Sequence, residues 1–380
     1  MPVAADLLTL TPAGLYCPRG GFHIDPVRPV DRALITHGHS DHARSGHGAV
    51  LATPETLAIM SVRYGEDFAG ATEAAGLGRP SRIGDIRVTF HPAGHVLGSA
   101  QIALEAGGCR IVVSGDYKRQ LDPTCSPFET VACDVFVTEA TFGLPVFRHP
   151  DARGEAAKLI GSLALFPDRP HLVGAYALGK AQRMIALLRE AGYDDTIFLH
   201  GALERLCQFY ESRGIELGPL DPVRGLKPKD LAGRIVLCPP GSMADLWSRR
   251  LGDPVTAFAS GWMRVRARAR QRGVELPLIV SDHADWDDLT ATIEETGAGE
   301  VWVTHGAEEA LVHWCRLRGL DARPLNLLGY GDEGEAEPEA SPAVEAGSGA
   351  GAIPGAETGS AGETGSTGDT GSADDTGAAA

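Results

Sequence analysis

The sequence predicts an α/β protein in which short buried strands end in residues able to bind metal or move a proton. Hydrophobic residues make up 43% of the 380 residues, which is enough for a sizeable core. Apolar runs rich in Val and Ile are flanked by Gly or Pro, as is typical of buried strands. Five of these runs lead into His, Asp or Glu, and open α/β sheets place their functional groups at such strand ends.

The five runs lie on both sides of a central region with a different pattern. In chain order they are 33–36 before His37, 110–115 before Asp116, 134–138 before Glu139, 278–282 before His283 and 301–304 before His305. Between them, helical periods appear at 180–189 and 202–210, and 234–237 is a predicted strand. This region has its own α/β alternation and no ligand cluster. We therefore expect an inserted second domain, with the first resuming near Pro277.

The composition changes from Gly331 onward to Gly, Ala, Ser, Thr, Glu and Asp, without an aromatic residue. Ordering such a segment would cost entropy and bury little apolar surface, so residues 331–380 are predicted to be a disordered acidic tail. The tail holds 11 acidic residues and no Lys or Arg, which leaves 39 acidic against 34 basic residues in the body. A mildly acidic body lacks the basic character common in nucleic-acid binders, so any contacts with phosphate must be local.

Cysteine usage and hydropathy restrict the cellular setting. The seven cysteines include no C-x-x-C pair, which favours reduced thiols in a reducing compartment. The first ten residues lack the basic segment and apolar core of a signal peptide. No run approaches the roughly 20 apolar residues of a membrane span. We expect a soluble, cytoplasmic protein with no membrane partner.

The segment His37-Gly38-His39-Ser40-Asp41-His42 is the strongest chemical signal. Three imidazoles and a carboxylate within six residues suit zinc. His37 and His39 could face one metal ion, and Asp41 and His42 a second. The alternative is a His-rich surface loop, but further candidate ligands follow downstream.

Two of those candidates are His95 and Asp116. His95 lies among small residues that let the backbone close around a ligand, and Asp116 ends a predicted strand. Taken alone, His95 would fit a structural histidine and Asp116 a turn residue. Beside the first segment, both are predicted to bind metal.

The whole pattern resembles the metallo-β-lactamase superfamily. The resemblance implies two zinc ions per chain. Each ion would have three ligands of its own, and one carboxylate would be shared by both ions. The first ion would take His37, His39 and His95, the second Asp41, His42 and His305, and the shared carboxylate would be Asp116. Asp25 matches the acidic residue that precedes this segment in the family and is expected to orient the ligands. Two such ions can share a hydroxide that attacks phosphorus, with Mn²⁺ as an alternative metal for turnover.

Three further segments, 138–143, 281–285 and 304–306, resemble the motifs of the β-CASP group of nucleases. The resemblance implies that Glu139 supports His283 and that His283 protonates the leaving oxygen, with Asp41 and Asp116 also catalytic. The implied fold is the αβ/βα four-layer metallo-β-lactamase sandwich with an inserted α/β cap. The sandwich would comprise residues 1–143 and 277–330, and the β-CASP cap would comprise 144–276.

The likeness extends over residues 1–330 to the bacterial ligase-associated DNA exonucleases. The segments that resemble this family are 11–18, 37–48, 113–118, 138–146, 261–266 and 281–286. Membership would imply a DNA exonuclease that acts in DNA repair beside an ATP-dependent DNA ligase and a helicase. His305 favours the alternative of an RNA-processing nuclease, because DNA-directed β-CASP enzymes commonly carry Val there. From other classes, a small-molecule ester or thioester hydrolase and an inactive ligase-recruiting scaffold stay open.

Candidate nucleic-acid contacts lie in two places. Arg264, Arg266 and Arg268 begin a run of five arginines at alternate positions, which a strand would align as a basic stripe and a helix would spread. A solvated face or ion pairs would explain them equally well. Lys118 and Arg119 follow Asp116 and are predicted to contact backbone phosphate. Phe142 and Trp262 could stack on a base, although aromatic residues beside strands more often belong to the core.

Overall fold

A computed structural model describes residues 4–325 and 327, and the predicted tail over 331–380 lies outside these residues. The architecture is mixed α/β, with three β-sheets and flanking helices, as the apolar runs predict. Two of the sheets share a core, and the third has a core of its own.

The first sheet has six strands in sequential order. They span Thr9–Thr11 (β1), Gly14–Cys17 (β2), Phe22–Ile24 (β3), Arg32–Leu34 (β4), Ala49–Ala52 (β5) and Thr72–Ala74 (β6). β1 to β3 are antiparallel neighbours, whereas β3 to β6 run parallel. The parallel strands therefore end at one edge, where Asp25 follows β3 and His37 lies just beyond β4.

The second sheet has seven strands, in the order β19-β18-β11-β10-β9-β8-β7. They span Ser81–Ile83 (β7), Ile86–Pro92 (β8), Ala100–Ala106 (β9), Cys109–Val113 (β10), Val135–Ala140 (β11), Glu300–Gly306 (β18) and Asp321–Pro324 (β19). β7 to β10 are antiparallel, and β10, β11, β18 and β19 are parallel. Asp116, Glu139 and His305 consequently lie near the carboxyl ends of neighbouring parallel strands.

Eight α-helices lie within the described part of the chain. They span Ala4–Leu7 (α1), Pro54–Tyr64 (α2), Ala152–Leu165 (α3), Lys180–Glu190 (α4), Gly201–Ser212 (α5), Arg266–Gln271 (α6), Trp286–Thr296 (α7) and Glu308–Leu317 (α8). Short 3₁₀ turns occur at Pro228–Leu231, Pro240–Met243, Ser248–Leu251 and Gly261–Arg264.

The first two sheets pack face to face, with helices on their outer sides. Leu34 of the first sheet and Leu104 of the second belong to the shared core. Since side chains alternate along a strand, the next residues point outward. Val50 packs with Met60 of α2, and the outer side of the second sheet packs against α7 and α8, which contribute residues such as Leu311. The layers are thus helix, sheet, sheet and helix.

The third sheet is parallel throughout, in the order β14-β13-β15-β12-β16-β17. Its strands span His171–Gly174 (β12), Ile197–Leu199 (β13), Leu220–Pro222 (β14), Ile235–Cys238 (β15), Val255–Ala259 (β16) and Leu276–Leu278 (β17). One face buries Val173 and Leu237 against α3, α4 and α5, and the other is covered by loops that contribute Leu231 and Leu251. Parallel sheets need such cover on both faces.

The apolar runs at 33–36, 110–115, 134–138 and 301–304 correspond to β4, β10, β11 and β18. The predicted helices at 180–189 and 202–210 are α4 and α5, and the strand at 234–237 is β15. The run at 278–282 is a strand only up to Leu278, because the chain then turns and the backbone N–H of Ile279 donates to a carboxylate oxygen of Glu155 at 2.8 Å.

The arginine run adopts the helical alternative. Arg264 ends a 3₁₀ turn and residues 266–271 form α6, so the arginines are spread around a helix and do not form the stripe that a strand would give. None of the helices described here is both long and apolar enough to span a membrane.

Candidate metal centre

The candidate ligands converge from separate loops onto one place beyond the strand ends. His37, His39 and His42 lie in the loop after β4, His95 in the turn between β8 and β9, and Asp116 after β10. Gly115 permits the close approach of two of these loops. It has a φ of 56°, and a Cβ there would lie 2.7 Å from Cβ of Thr36, the residue before His37.

Two groups of side chains could each hold a metal ion, and Asp116 belongs to both. The first group comprises His37, His39, His95 and Asp116, and the second comprises His42, Asp116 and His305. Within each group, one ligand atom per residue lies within 4.8 Å of all the others. A single carboxylate shared by two sets of imidazoles is the arrangement expected of a bridging ligand.

Asp116 contacts imidazoles from both groups. Its Oδ2 lies 3.4 Å from Nε2 of His37, 3.5 Å from Nε2 of His42 and 3.8 Å from Nε2 of His95. Its Oδ1 lies 3.9 Å from Nδ1 of His305. Asp41 is in neither group, although its Oδ2 lies 3.7 Å from Nε2 of His42. The side chain of Asp41 is more exposed than that of His42.

Each of the four histidines in these loops is oriented through its other ring nitrogen. Nδ1 of His37 donates to Oγ1 of Thr36 at 3.0 Å, and Nε2 of His39 donates to the backbone oxygen of Leu178 at 3.2 Å. The remaining two histidines contact the carboxylate of Asp25 and the backbone of Asp282. Nδ1 of His42 contacts Oδ2 of Asp25 at 2.9 Å, and Nδ1 of His95 donates to the backbone oxygen of Asp282 at 2.8 Å.

This pattern of hydrogen bonds fits metal binding. When one ring nitrogen of a neutral histidine donates a proton outward, the other presents a lone pair inward, as ligation requires. Nε2 of His37 is buried and makes no hydrogen bond to any of the described residues. A buried imidazole nitrogen without a hydrogen bond is costly, and a bound cation would satisfy it.

Asp25 organises the loop that carries three of these histidines. Its Oδ1 accepts from the backbone N–H of Thr36 at 2.8 Å and its Oδ2 from Oγ1 of Thr36 at 2.6 Å, in addition to its contact with His42. Thr36 in turn accepts from His37. The buried carboxylate of Asp25 therefore fixes two imidazoles, one directly and one through Thr36.

Backbone strain coincides with the site. Among the described residues, Asp25 (φ 44°) and His305 (φ 57°) are the two that are not glycine and have a positive φ. Side chains with a Cβ rarely adopt this region, and such residues cluster at functional sites, where the surrounding structure holds them in place. Both lie in or beside the second ligand group.

Burial and neighbouring charge set the protonation of these side chains in opposite directions. Burial and neighbouring imidazoles hold the pKa of His37 and that of His305 well below the usual range for histidine. Burial also disfavours the charged form of His42, but the carboxylates of Asp116, Asp41 and Asp25 outweigh it and raise the pKa of His42 to about 10. Burial raises the pKa of Asp116 to about 8. Bound cations would favour the carboxylate form of Asp116 and the neutral form of His42.

A second pair, His283 and Glu139, lies against the first ligand group. Nδ1 of His283 contacts Oε2 of Glu139 at 2.9 Å, and the backbone N–H of Tyr117 donates to Oε1 of Glu139 at 2.7 Å. The rings of His283 and His95 are 4.6 Å apart. Both members of the pair are buried, and ligand atoms of His283, Glu139 and Asp116 lie within 4.8 Å of one another.

The predicted phosphate contacts make protein contacts in this structure. Lys118 is buried, and its Nζ lies 3.4 Å from the backbone oxygen of His283. Burial and the nearby guanidinium of Arg183 lower the pKa of Lys118 to about 7. Arg119 forms a two-pronged ion pair with Glu295 at 2.8 and 2.9 Å. Contact of either residue with phosphate stays a prediction.

Four contributions to the site were not predicted from the sequence. Thr36 links Asp25 to His37, and the carbonyls of Leu178 and Asp282 hold His39 and His95. In addition, Lys180 of α4 forms a buried ion pair with Asp282. A backbone carbonyl carries no sequence signal, although the segment 281–285, which contains Asp282, resembles a β-CASP motif.

No protein-family model matches the chain. Among curated proteins, it is 30% identical over 317 residues to a protein named "Probable DNA ligase" from Opitutus terrae, covering 81% of this chain and 30% of that protein. It is 32% identical over 198 residues to "Endoribonuclease YSH1" from Gibberella zeae, covering 42% of this chain and 24% of that protein. The chain thus matches less than a third of the length of either relative.

A solved structure shares the fold. A crystal structure of a protein of unknown function from Enterococcus faecalis V583 superposes with a TM-score of 0.51 at 14% sequence identity, covering 74% of this chain and 76% of that one. Taken with the two metal-binding groups, the named relatives suggest a nuclease family of the β-CASP metallo-β-lactamase kind.

Proposed function

We propose that this chain is a metal-dependent phosphodiesterase, specifically a DNA exonuclease that acts in DNA repair. The observation that carries the proposal is the position of Asp116 in both ligand groups, with the His283–Glu139 pair beside them. We further propose that each group holds one Zn²⁺ ion, with Mn²⁺ as an alternative for turnover. Zinc bound there would supply Lewis acidity and positive charge against the phosphate oxygens.

The side chains of this site have separate roles in the proposed reaction. His37, His39, His95, Asp41, His42 and His305 would hold the metal ions, and Asp116 would bridge them. Asp25 holds the imidazole of His42 with its Nε2 toward Asp116, so it acts through His42 and contacts no substrate.

His283 is the proposed general acid. Oε2 of Glu139 lies against Nδ1 of His283, which stabilises the protonated imidazole and leaves Nε2 to donate to the departing oxygen. Glu139 is itself fixed by the N–H of Tyr117. The pair resembles other histidine–carboxylate pairs in which the carboxylate orients the ring and stabilises its charge.

Two proposals extend beyond the site. The domains would be 1–143 with 277–330, and 144–276, the latter containing most of the third sheet; its last strand, Leu276–Leu278, straddles the boundary. DNA is the favoured substrate and an ATP-dependent DNA ligase the favoured partner, because the relative that aligns with 81% of this chain is named a probable DNA ligase. A helicase is a further proposed partner.

RNA is the second candidate substrate. The likeness to an endoribonuclease and the histidine at position 305 favour it. The test is degradation of matched, end-labelled single- and double-stranded DNA and RNA by zinc-loaded protein, with Asp116→Ala as the control. Stepwise release of mononucleotides from DNA by the wild type alone supports the proposal. Internal cuts in RNA with intact DNA would support the alternative, and no cleavage of either would contradict both.

A further inference from the structure

A chain of aromatic rings leads from the proposed general acid toward solvent. The ring of Phe142 meets that of His283 edge-on, with centroids 6.1 Å apart, and the ring of Trp262 lies 4.8 Å from that of Phe142. Phe147 contacts both Phe142 and Trp262, at 5.1 and 5.0 Å. Phe142 and Phe147 are buried and Trp262 is half-buried, so Trp262 is the end of the chain that reaches the surface.

The backbone around Trp262 is built to hold it there. Oγ of Ser260 accepts from the backbone N–H of Trp262 at 3.3 Å and so caps the 3₁₀ turn Gly261–Arg264. A Cβ on Gly261 would lie 2.4 Å from Cζ of Phe142 and 2.9 Å from Cε1 of His149. Only glycine therefore allows the turn to approach Phe142 this closely, which fixes Trp262 at the side of the candidate site.

The outer face of Trp262 is covered by an arginine. Cζ of Arg268 lies 3.9 Å from the centroid of the ring, in cation–π contact. Arg264, Arg266, Arg268 and Arg270 are all exposed, and the described residues offer none of them a carboxylate partner within ion-pair distance. In a mildly acidic body, four neighbouring guanidinium groups without acidic partners form a local site for an anion.

A second arginine–tryptophan pair, at α8, differs from this one because its arginine has a carboxylate partner. Cζ of Arg318 lies 3.8 Å from the ring of Trp314 on α8, but Nε of Arg318 also donates to Glu294 at 2.9 Å. The charge of Arg318 is therefore neutralised within the protein. Arg268 lies at a similar distance from its ring, but its charge is not neutralised by a carboxylate among the described residues. It also lies at the end of the series of rings that starts at His283.

We propose that Arg268 and Trp262 form a stacking platform for an unpaired base of the nucleic acid, next to the phosphodiester that is cleaved. The base stacks on the guanidinium of Arg268, whose other face rests on Trp262, and Arg264 and Arg266 contact the adjoining phosphates. Aromatic rings and guanidinium planes bind bases in this way without regard to sequence.

The platform limits the form of the substrate. A base that stacks on Arg268 must first leave its neighbours in a duplex, so the strand is single-stranded or frayed at this position. The inference rests on the proposed nuclease function, because it places the platform beside the phosphodiester that His283 serves. It adds to that function a subsite for one base and a preference for unpaired strands.

The test compares Trp262→Leu and Arg268→Ala with the matched control Trp314→Leu. Each zinc-loaded protein is assayed on a single-stranded oligonucleotide and on bis(p-nitrophenyl) phosphate, a phosphodiester without bases. We expect either platform variant to raise KM for the oligonucleotide about tenfold, the effect of losing one stacked base. The increase in KM for bis(p-nitrophenyl) phosphate should be several times smaller. Trp314→Leu should have the KM of the wild type for both substrates.

A scan of abasic positions makes the test independent of protein folding. With the wild type, an abasic nucleotide should raise KM only when it occupies one particular position near the cleaved bond. With Arg268→Ala, an abasic nucleotide at that position should not change KM. The platform proposal would be overturned if the platform variants raised KM equally for both substrates, or if no abasic position raised KM for the wild type. Either result would leave the proposed nuclease function in place. A wild type that cleaves neither substrate would overturn the proposed function itself.

Discussion

Exchange of Asp25 for Asn should weaken metal binding, because it should move the proton of His42 from Nδ1 to Nε2. Oδ2 of Asp25 lies 2.9 Å from Nδ1 of His42 and 2.6 Å from Oγ1 of Thr36. An amide in place of the carboxylate keeps one oxygen for the backbone N–H of Thr36 but turns an NH₂ group toward the other two partners. Nδ1 of His42 must then accept, and the proton moves to Nε2, which lies 3.5 Å from Asp116.

The size of the effect follows from that change. Loss of a carboxylate that orients a ligating histidine typically weakens metal affinity about 10–100-fold, which corresponds to about 1.4–2.7 kcal/mol of binding free energy. Zinc affinity would be measured by competition with a chromophoric chelator at constant pH, with Asp31→Asn as a control because Asp31 is exposed. Asn also tolerates the positive φ at this position, so the backbone should be retained. Equal affinity in Asp25→Asn and wild type would refute the reasoning.

Three further outcomes are expected. His283→Ala should retain the metal content of the wild type while lowering kcat by about 10²–10⁴, the usual range for a general acid; metal analysis beside single-turnover rates checks this, and a near-normal rate would remove His283 from the mechanism. Because the pKa of His42 is raised to about 10, the metal-free chain holds a proton there that zinc must displace, so zinc affinity should rise with pH between 6 and 8. Calorimetry in buffers of different ionisation enthalpy would show the released proton, and a flat affinity would contradict it. Lys180→Met leaves the buried carboxylate of Asp282 without its ammonium, so the free energy of unfolding should fall by about 3–5 kcal/mol in denaturant titrations; a change below 1 kcal/mol would show that the pair is not buried in solution.

Local pattern was enough to predict most of the elements that carry the candidate site. A Val- and Ile-rich run that leads into a residue able to bind metal or move a proton identified β4, β10, β11 and β18. Burial on both faces leaves such a strand few polar positions except at its end. The same reasoning placed His37, Asp116 and His305 at the ends of strands. In the structure, His37 and His305 each belong to one of the two groups that include Asp116.

What the sequence did not show depends on long-range contacts. The carbonyl of Leu178 holds His39, and the ion pair of Lys180 with Asp282 joins α4 to the loop of His283. A carbonyl has no residue type to signal it, and no periodicity relates residues so far apart. The positive φ of Asp25 and His305 was equally hidden, since tertiary contacts impose it against local preference.

The arginine run illustrates an ambiguity of local pattern. Charges at alternate positions fit a strand, but here the run begins in a 3₁₀ turn and continues as α6. Ala269 is buried against Met263 and Phe258, so packing of that small side chain, and not the alternation of charge, decides the conformation. The outcome places Arg268 over Trp262, which an alternating strand would not have predicted.

The most direct test of the account is the zinc content and phosphodiester hydrolysis of the wild type beside those of Asp116→Asn. If Asp116 serves both ligand groups, the wild type should bind one zinc ion per group and hydrolyse a labelled oligonucleotide. Asp116→Asn should lose zinc from both groups and lose hydrolysis, while keeping the circular dichroism spectrum of the folded protein. Hydrolysis at the rate of the wild type by Asp116→Asn, or a wild type that binds no metal, would contradict the central claim.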